Sequence, residues 1–311
     1  MELIRGGHNL GARHRGCVAT IGNFDGVHRG HAAVVTSLRQ AGERLCQPPT
    51  VITFEPHPRE FFAPAKAPPR LTRLRDKLAA LDQLGVARVL CLPFGWQLAS
   101  QSPQAFVDEL LVERLGVSFL MVGDDFRFGR DRAGDFAFLA EAGERRGFEV
   151  TRMPTVLDDD ERISSTRIRE ALARRDLATA ERLLGRAFGI SGRVAHGDRI
   201  GRELGWPTVN LPFARTQPPL AGVYAVRVDG PGLRDHPGVA SLGTRPVVGG
   251  ESTLLEVHLF DYQGDLYGAH LTVRFKAWIR DEANLPSMAA LRDQIGRDAE
   301  QARALLGAPA G

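Results

Sequence analysis

Lysine is almost missing: of 40 cationic side chains in 311 residues only Lys66, Lys77 and Lys276 are lysines, and none follows a glycine in a Gly-Lys-Ser/Thr context. A Walker-type phosphate loop is excluded, so any phosphate chemistry has to rest on arginine, histidine, backbone amides and metal ions. Cysteine is equally scarce. Cys17, Cys46 and Cys91 are odd in number and far apart, which gives neither a disulfide framework nor a zinc spacing and fits a reducing cytoplasm. No apolar run reaches the ~18 to 20 residues that cross a bilayer. The start Met1-Glu-Leu-Ile-Arg5 lacks the basic-then-apolar layout of a signal peptide, so a soluble, non-exported protein without membrane partners is expected. Nor is there a block of one charge. The 40 cations and 37 anions are interspersed and leave a net charge of +3, which argues against nucleic acid as a partner.

What is present is an ordinary globular composition, 43% hydrophobic and 25% charged, in a chain long enough for about two domains. Short apolar runs at 17–21, 50–54, 88–92, 119–122 and 148–153 alternate with helical periodicity at 30–45, 73–84, 103–115 and 136–146. That alternation predicts a Rossmann-like α/β domain, a parallel sheet covered on both faces. Two further helices are predicted at 165–174 and 177–184. From about 188 to 275 the chain switches to short alternating segments separated by Gly, Pro and Asp, which predicts an antiparallel β-barrel, followed by an amphipathic helix over 287–306. The change of pattern places the domain boundary near 186, giving 1–186 and 187–311.

The densest motif is Thr20-Ile-Gly-Asn-Phe-Asp-Gly-Val-His-Arg-Gly-His31, a predicted strand that runs into a glycine-punctuated turn and then a helix. Such a turn aims unpaired N–H groups and the positive end of a helix dipole at one point, which suits phosphate. His28 and His31 can share a helical face and donate to a triphosphate, while Gly22, Gly26 and Gly30 allow close approach of a nucleotide. Metal binding and simple packing are the duller readings of the same pair. Ile163-Ser-Ser-Thr-Arg-Ile-Arg169 opens the next helix; Ser164 or Ser165 caps it, and three hydroxyls with two arginines make a second anion site there, with Arg169 able to neutralise phosphate charge.

Val122-Gly-Asp-Asp-Phe-Arg-Phe-Gly129 ends a predicted strand in a loop, the place where open α/β sheets bind ligands. Phe126 or Phe128 could stack on a flat ring, or pack beneath the loop. His57, in Thr53-Phe-Glu-Pro-His-Pro58, occupies the corresponding end of an earlier strand, and the run 158–161 reads as a solvated turn. In the second half, Thr208 and Asn210 of Pro207-Thr-Val-Asn210 point the same way in extended chain, an arrangement suited to a hard cation such as magnesium carrying ATP phosphates, or to turn formation alone. Glu256 and His258 alternate with Leu255, Val257 and Leu259, so both face one side of a strand, as a general base in a cleft or as ordinary surface.

Taken together, these segments, with Gly205-Trp-Pro-Thr-Val-Asn210, Gly222-Val-Tyr224 and Gly264-Asp-Leu-Tyr-Gly268, resemble the bifunctional bacterial riboflavin kinase/FAD synthetase family over nearly the whole chain. The histidine motif alone marks a nucleotidyltransferase superfamily; its combination with the Pro-Thr-x-Asn motif is specific. Val209 and Trp206 stand where the family commonly has alanine and phenylalanine, and Asn284-Leu-Pro-Ser287 lacks its usual phenylalanine. The resemblance implies an FMN adenylyltransferase domain of nucleotidyltransferase α/β type followed by a riboflavin kinase barrel. It implies ATP as co-substrate, Mg2+, and riboflavin, FMN and FAD as ligands. Glu256 would be the kinase base, with Thr208 and Asn210 at the magnesium-nucleotide. His28, His31, Ser165, Thr166 and Arg169 would handle phosphates; Gly22, Asn23, Phe24, Asp25, Gly30 and Ser164 would line the ATP site, and Asp125, Phe126, Phe128 and His57 the flavin site. The alternative is an adenylyl- or cytidylyltransferase for another phosphorylated substrate, with the barrel as a binding module. A homo-oligomer is compatible with either.

Overall fold

The computed structural model describes every residue except 154, 198–200, 202–203, 214–217, 248–249 and 309–311, with backbone alone at 244–247 and 250–252. The chain forms two compact units, Met1–Pro68 with Leu74–Ser164, and Pro69–Arg73 with Ser165–Gly311.

The first unit holds a six-stranded sheet made of β1 (Glu2–Arg5), β2 (Cys17–Ile21), β3 (Pro49–Glu55), β4 (Arg88–Pro93), β5 (Val117–Val122) and β6 (Glu149–Arg152), in the order β1-β4-β3-β2-β5-β6. Every pairing is parallel. The strands read as continuous apolar runs because successive side chains feed two cores, one on each face. Val18, Val51, Val89 and Phe119 point to the face covered by the helices Arg29–Leu45 and Leu74–Gln83. Ala19, Ile52, Leu90 and Leu120 point to the other, covered by Phe106–Arg114 and Phe136–Arg146. The doubly wound sheet predicted from the alternation is therefore present. The predicted helix over 103–115 is a short α-helical turn, Pro103–Ala105, capped by the Ser102 hydroxyl and continued as a π-helix over Phe106–Arg114.

The run 158–161 is a tight hairpin of β7 (Leu157–Asp158) and β8 (Glu161–Arg162), turned by Asp159 and Asp160 in the left-handed region. Asp159, Asp160 and Glu161 are solvated as expected, whereas the Asp158 side chain, 8% exposed, pairs with Arg29 at 3.2 Å.

The second unit begins with the helices Ser165–Ala173 and Leu177–Leu184, the latter capped by Asp176. Its sheet comprises β9 (Gly189–Arg193), β10 (Val209–Phe213), β11 (Gly222–Gly230), β12 (Leu233–Val247), β13 (Gly250–Leu259) and β14 (His270–Arg280), all antiparallel, in the order β10-β13-β12-β11-β14-β9. A bridge from Ala195 N–H to the Asn210 carbonyl at 2.9 Å joins the two edges and nearly closes the barrel. Tyr224, Val226, Leu242, Leu255, Val257 and Phe275 fill the inside, each at most 1% exposed. Burial pushes the Tyr224 phenol up to about 12, and its hydroxyl donates to the Ala221 carbonyl at 2.9 Å.

The helix Met288–Leu306 packs Ala299 and Ala302 onto the outer face, against Val223, Ala225, Val239, Phe260 and Ile279. A bidentate pair ties it down. Arg280 reaches both oxygens of Asp298, whose side chain is 4% exposed, at 2.7 to 3.1 Å, and Gln294 donates to the same carboxylate at 2.8 Å. Removing one partner of a buried pair costs ~3 to 5 kcal/mol, and the partial exposure of Arg280 puts this one at the low end. Asp298→Ala is therefore expected to lower the thermal midpoint of the second unit by several degrees, read by differential scanning calorimetry; an unchanged midpoint would show that the alanine contacts hold the helix alone. Among the described residues no helix is long and apolar enough to cross a membrane.

Candidate active sites

In the first unit the motif at 20–31 becomes a strand, a strained turn and a helix N-terminus. Phe24 and Val27 both sit at positive φ, 49° and 42°, with Gly26 at 88° between them. A β-branched valine in that region is costly, and such strain is held where the surrounding structure needs the backbone shape. Here the shape curls the chain from β2 into the Arg29–Leu45 helix. His28 is the N-cap, and the two histidines cap reciprocally: His31 N–H donates to His28 Nδ1 at 3.3 Å, and His28 N–H donates to His31 Nδ1 at 3.2 Å. Because both Nδ1 atoms accept, each neutral ring carries its proton on Nε2. The rings stack with centroids 3.6 Å apart and 20° between planes. Two stacked imidazoles at the positive end of a helix dipole are an arrangement suited to an anion.

Asp25 and His28 are both 6% exposed, and Phe24 is buried and leans on His31 at 4.8 Å. Among the described residues the Thr20 hydroxyl, on β2, and Asn23 Oδ1, in the turn, are buried without a hydrogen-bond partner. A Cβ on Gly30 would lie 3.5 Å from the Ile163 carbonyl, so the chain just before Ser164 passes the same helix end. Ser165 and Thr166 begin the Ser165–Ala173 helix of the second unit, where Arg169 Nε donates to the Pro69 carbonyl at 2.6 Å.

The structure sorts the predicted flavin residues. Phe128, 7% exposed, lies in the core against Phe106 and Phe138, while Phe126 is half-buried and stacks on it at 5.6 Å. Asp125 is exposed and pairs with Arg162 at 3.7 Å. His57 caps the short helix Pro58–Phe62, its Nδ1 accepting from Arg59 N–H at 3.1 Å. That helix carries a feature the sequence reading passes over. At the carboxyl ends of β3 and β4, Phe54, Phe61, Phe62, Phe94 and Trp96 form a cluster of edge-to-face contacts, with Phe62 58% and Trp96 72% exposed. Large aromatics held in contact yet exposed mark a surface for a flat apolar ligand. The signal was the Phe61-Phe62 doublet and the Phe94-Gly-Trp96 turn directly after a strand.

In the second unit Asn210 on β10 stands opposite Glu256 on β13, so the two side chains share the outer face. Asn210 is 8% exposed, and among the described residues its Oδ1 has no hydrogen-bond partner. Thr208, two residues earlier, precedes the strand. Trp206 packs edge-on to His258 with centroids 5.0 Å apart, and His258 Nδ1–H donates to the Pro207 carbonyl at 2.8 Å; burial holds this imidazole below its ordinary pKa. The outer face near Glu256 is thus floored by β13 and bounded by the Trp206 ring and the C-terminal helix. A cavity of ≈ 370 Å³ beside Tyr224, Leu242 and Thr253 opens on the inner face of the same sheet, away from Glu256.

The sequence matches the FAD synthetase family over residues 11–167 and the riboflavin kinase family over 184–306. It is 52% identical over 308 residues, 99% of this chain and 98% of the relative, to the bifunctional riboflavin kinase/FMN adenylyltransferase of Escherichia coli K12. The Pseudomonas fluorescens protein of the same description is 53% identical over 306 residues, 98% of each chain. The chain belongs to this family. A solved structure described as a macrolide-efflux protein from Streptococcus pneumoniae shares the fold, with a TM-score of 0.81 and 30% identity over 97% of this chain and 99% of that one. The histidine-capped helix falls in the FAD synthetase half, and the Asn210–Glu256 pair in the riboflavin kinase half.

Proposed function

We propose that the chain phosphorylates riboflavin to FMN with ATP and then adenylylates FMN to FAD, releasing pyrophosphate, with the functional division near residue 186 and both reactions in the cytoplasm. The observation that carries the kinase assignment is the buried Asn210 Oδ1, without a partner among the described residues, beside Glu256: one hard oxygen donor and one carboxylate base, adjacent on one face. In the first reaction Glu256 takes the proton of the ribityl terminal hydroxyl, whose oxygen bonds to the γ-phosphorus of ATP as ADP leaves. The oxygens of Asn210 and Thr208 fit a Mg2+ carried by the nucleotide, which supplies charge neutralisation on the phosphates.

In the second reaction the FMN phosphate is already an anion, so no strong base is needed. Its oxygen bonds to the α-phosphorus of ATP and the bond to pyrophosphate breaks. The work is positioning and charge stabilisation, and in the first unit it falls to the Nε2–H edges of His28 and His31, with Ser164 a further candidate; Ser165, Thr166 and Arg169 are phosphate-handling candidates by the family's motif. Gly22, Asn23, Phe24, Asp25 and Gly30 shape the ATP site. The isoalloxazine stacks on the exposed Phe62–Trp96 cluster, with Phe126, Asp125 and His57 as further candidate contacts and Phe128 supporting Phe126 from below.

The test is to incubate the protein with riboflavin, ATP and Mg2+ and to resolve the flavins by chromatography over time. FMN followed by FAD is the expected course. Conversion of FMN supplied in a parallel reaction, without riboflavin turnover, would overturn the kinase assignment, and FMN as the end product would overturn the adenylylation.

A further inference from the structure

The outer face of the barrel carries more hydrogen-bonding groups than proton removal requires. Asn210, Glu256 and Ser241 stand opposite one another on β10, β13 and β12, so all three side chains leave the same side of the sheet. With adjacent strands ~4.8 Å apart, Ser241 lies one strand spacing from Glu256, on the side away from Asn210. Val223 on β11 continues the row and is buried beneath the C-terminal helix, so the row passes from the phosphate end, through the base, to apolar ground.

Beyond Ser241 a carboxylate is held in place. The Ser241 hydroxyl donates to Glu282 Oε1 at 3.0 Å, and Glu282 lies in the segment that leaves β14 for the C-terminal helix. Its carboxylate rests on the backbone of Gly243, where any Cβ would overlap it. The start of that segment is fixed on either side of the chain by Arg280 on Asp298 and by Arg175 on Asp281. An exposed glutamate gains little from a single surface contact. A serine that gives up its only proton and a glycine that leaves room for the oxygens orient this one beside the base.

We propose that Glu282, oriented by Ser241, accepts hydrogen bonds from the secondary hydroxyls of the substrate's ribityl chain and thereby selects a flavin bearing a polyol. The inference rests on the kinase reading. With the terminal hydroxyl at Glu256, the following carbons run toward Ser241, each bringing a donor to a place that offers acceptors: two carboxylate oxygens and the lone pairs of a hydroxyl whose proton is committed. The ring then reaches the apolar ground next to the C-terminal helix. A flavin without the inner hydroxyls leaves these acceptors unpaired on binding, which is the more effective form of discrimination.

The experiment compares riboflavin with 10-(5-hydroxypentyl)isoalloxazine carrying the same ring methyls, which keeps the ring and terminal hydroxyl and lacks the inner ones, in the wild type, Glu282→Gln, Ser241→Ala and Gly243→Ala. Glu282→Gln is expected to lower kcat/KM for riboflavin by about 10- to 100-fold, mostly through KM, and to leave the analogue within about twofold. Ser241→Ala should move the ratio in the same direction by less, and Gly243→Ala, which displaces the carboxylate, should resemble Glu282→Gln. A thermal midpoint near that of the wild type, read by differential scanning calorimetry, checks that the second unit of each variant is folded. Equal losses on both substrates, or an unchanged ratio, would overturn the proposal and leave Glu282 as a brace for its segment. A wild type that phosphorylates neither flavin while still adenylylating FMN would instead overturn the kinase reading beneath it.

Discussion

Glu256→Gln is expected to abolish FMN formation from riboflavin while FMN is still converted to FAD. General base catalysis contributes ~10²- to 10⁴-fold, and glutamine keeps the size and hydrogen-bonding reach of glutamate without the ability to take a proton. The structural cost should be small. Glu256 is half-buried on the outer face, whereas the neighbours that hold β13 in the core, Leu255 and Val257, are fully buried on the other side. The thermal midpoint should therefore stay near that of the wild type while riboflavin phosphorylation falls by at least two orders of magnitude, measured by flavin chromatography with riboflavin or FMN as the sole starting flavin. Retained phosphorylation would remove Glu256 from the reaction. Loss of both conversions with an unchanged melt would argue that the two halves depend on each other for activity.

His31→Ala is expected to do the reverse, leaving riboflavin phosphorylation and removing FAD formation. Deleting one preorganised donor from a site where charge develops costs ~10²- to 10³-fold. This variant also loses half of the reciprocal cap on the Arg29–Leu45 helix, worth ~1 kcal/mol. His31→Glu separates the two effects. A glutamate at this third helical position can still accept from the His28 N–H, as in an ordinary capping box, but it presents negative charge to the phosphates. Its melt should match the wild type while FAD formation is lost at least as fully as in His31→Ala. If His31→Glu restored FAD formation together with stability, His31 would be a cap and nothing more.

The parts of the fold that were legible in the sequence are those whose signal is local and periodic. β2 to β6 and the helices between them announce themselves because a strand buried on both faces must be apolar throughout and its helices must be amphipathic. β1 did not, since four edge residues, Glu2–Arg5, with two apolar positions carry no period. The π-helical stretch over Phe106–Arg114 keeps a helix-like composition, so only its hydrogen-bond register departs from the α-helix expected there. Glu256 and the Thr208–Asn210 pair could be picked out because alternation alone assigns their faces. Their adjacency could not: that Asn210, Glu256 and Ser241 form a row follows from strand register, which joins residues far apart in the chain. The pairing of Asp158 with Arg29 was hidden for the same reason, and the burial of Phe128 could not be told from a stacking role without knowing what lies beneath its loop.

The alternation along β13 sets limits on how this enzyme half can change. Leu255, Val257 and Leu259 hold the barrel from inside while Glu256 and His258 face outward, so the barrel interior and the candidate site occupy interleaved positions. Substitutions at the outward positions change the outer face without disturbing the barrel interior. A single inserted residue has no such freedom. It would turn the leucines and valine out to water and the glutamate into the barrel at once, so variation in this strand is confined to replacement, with its length held constant by the core.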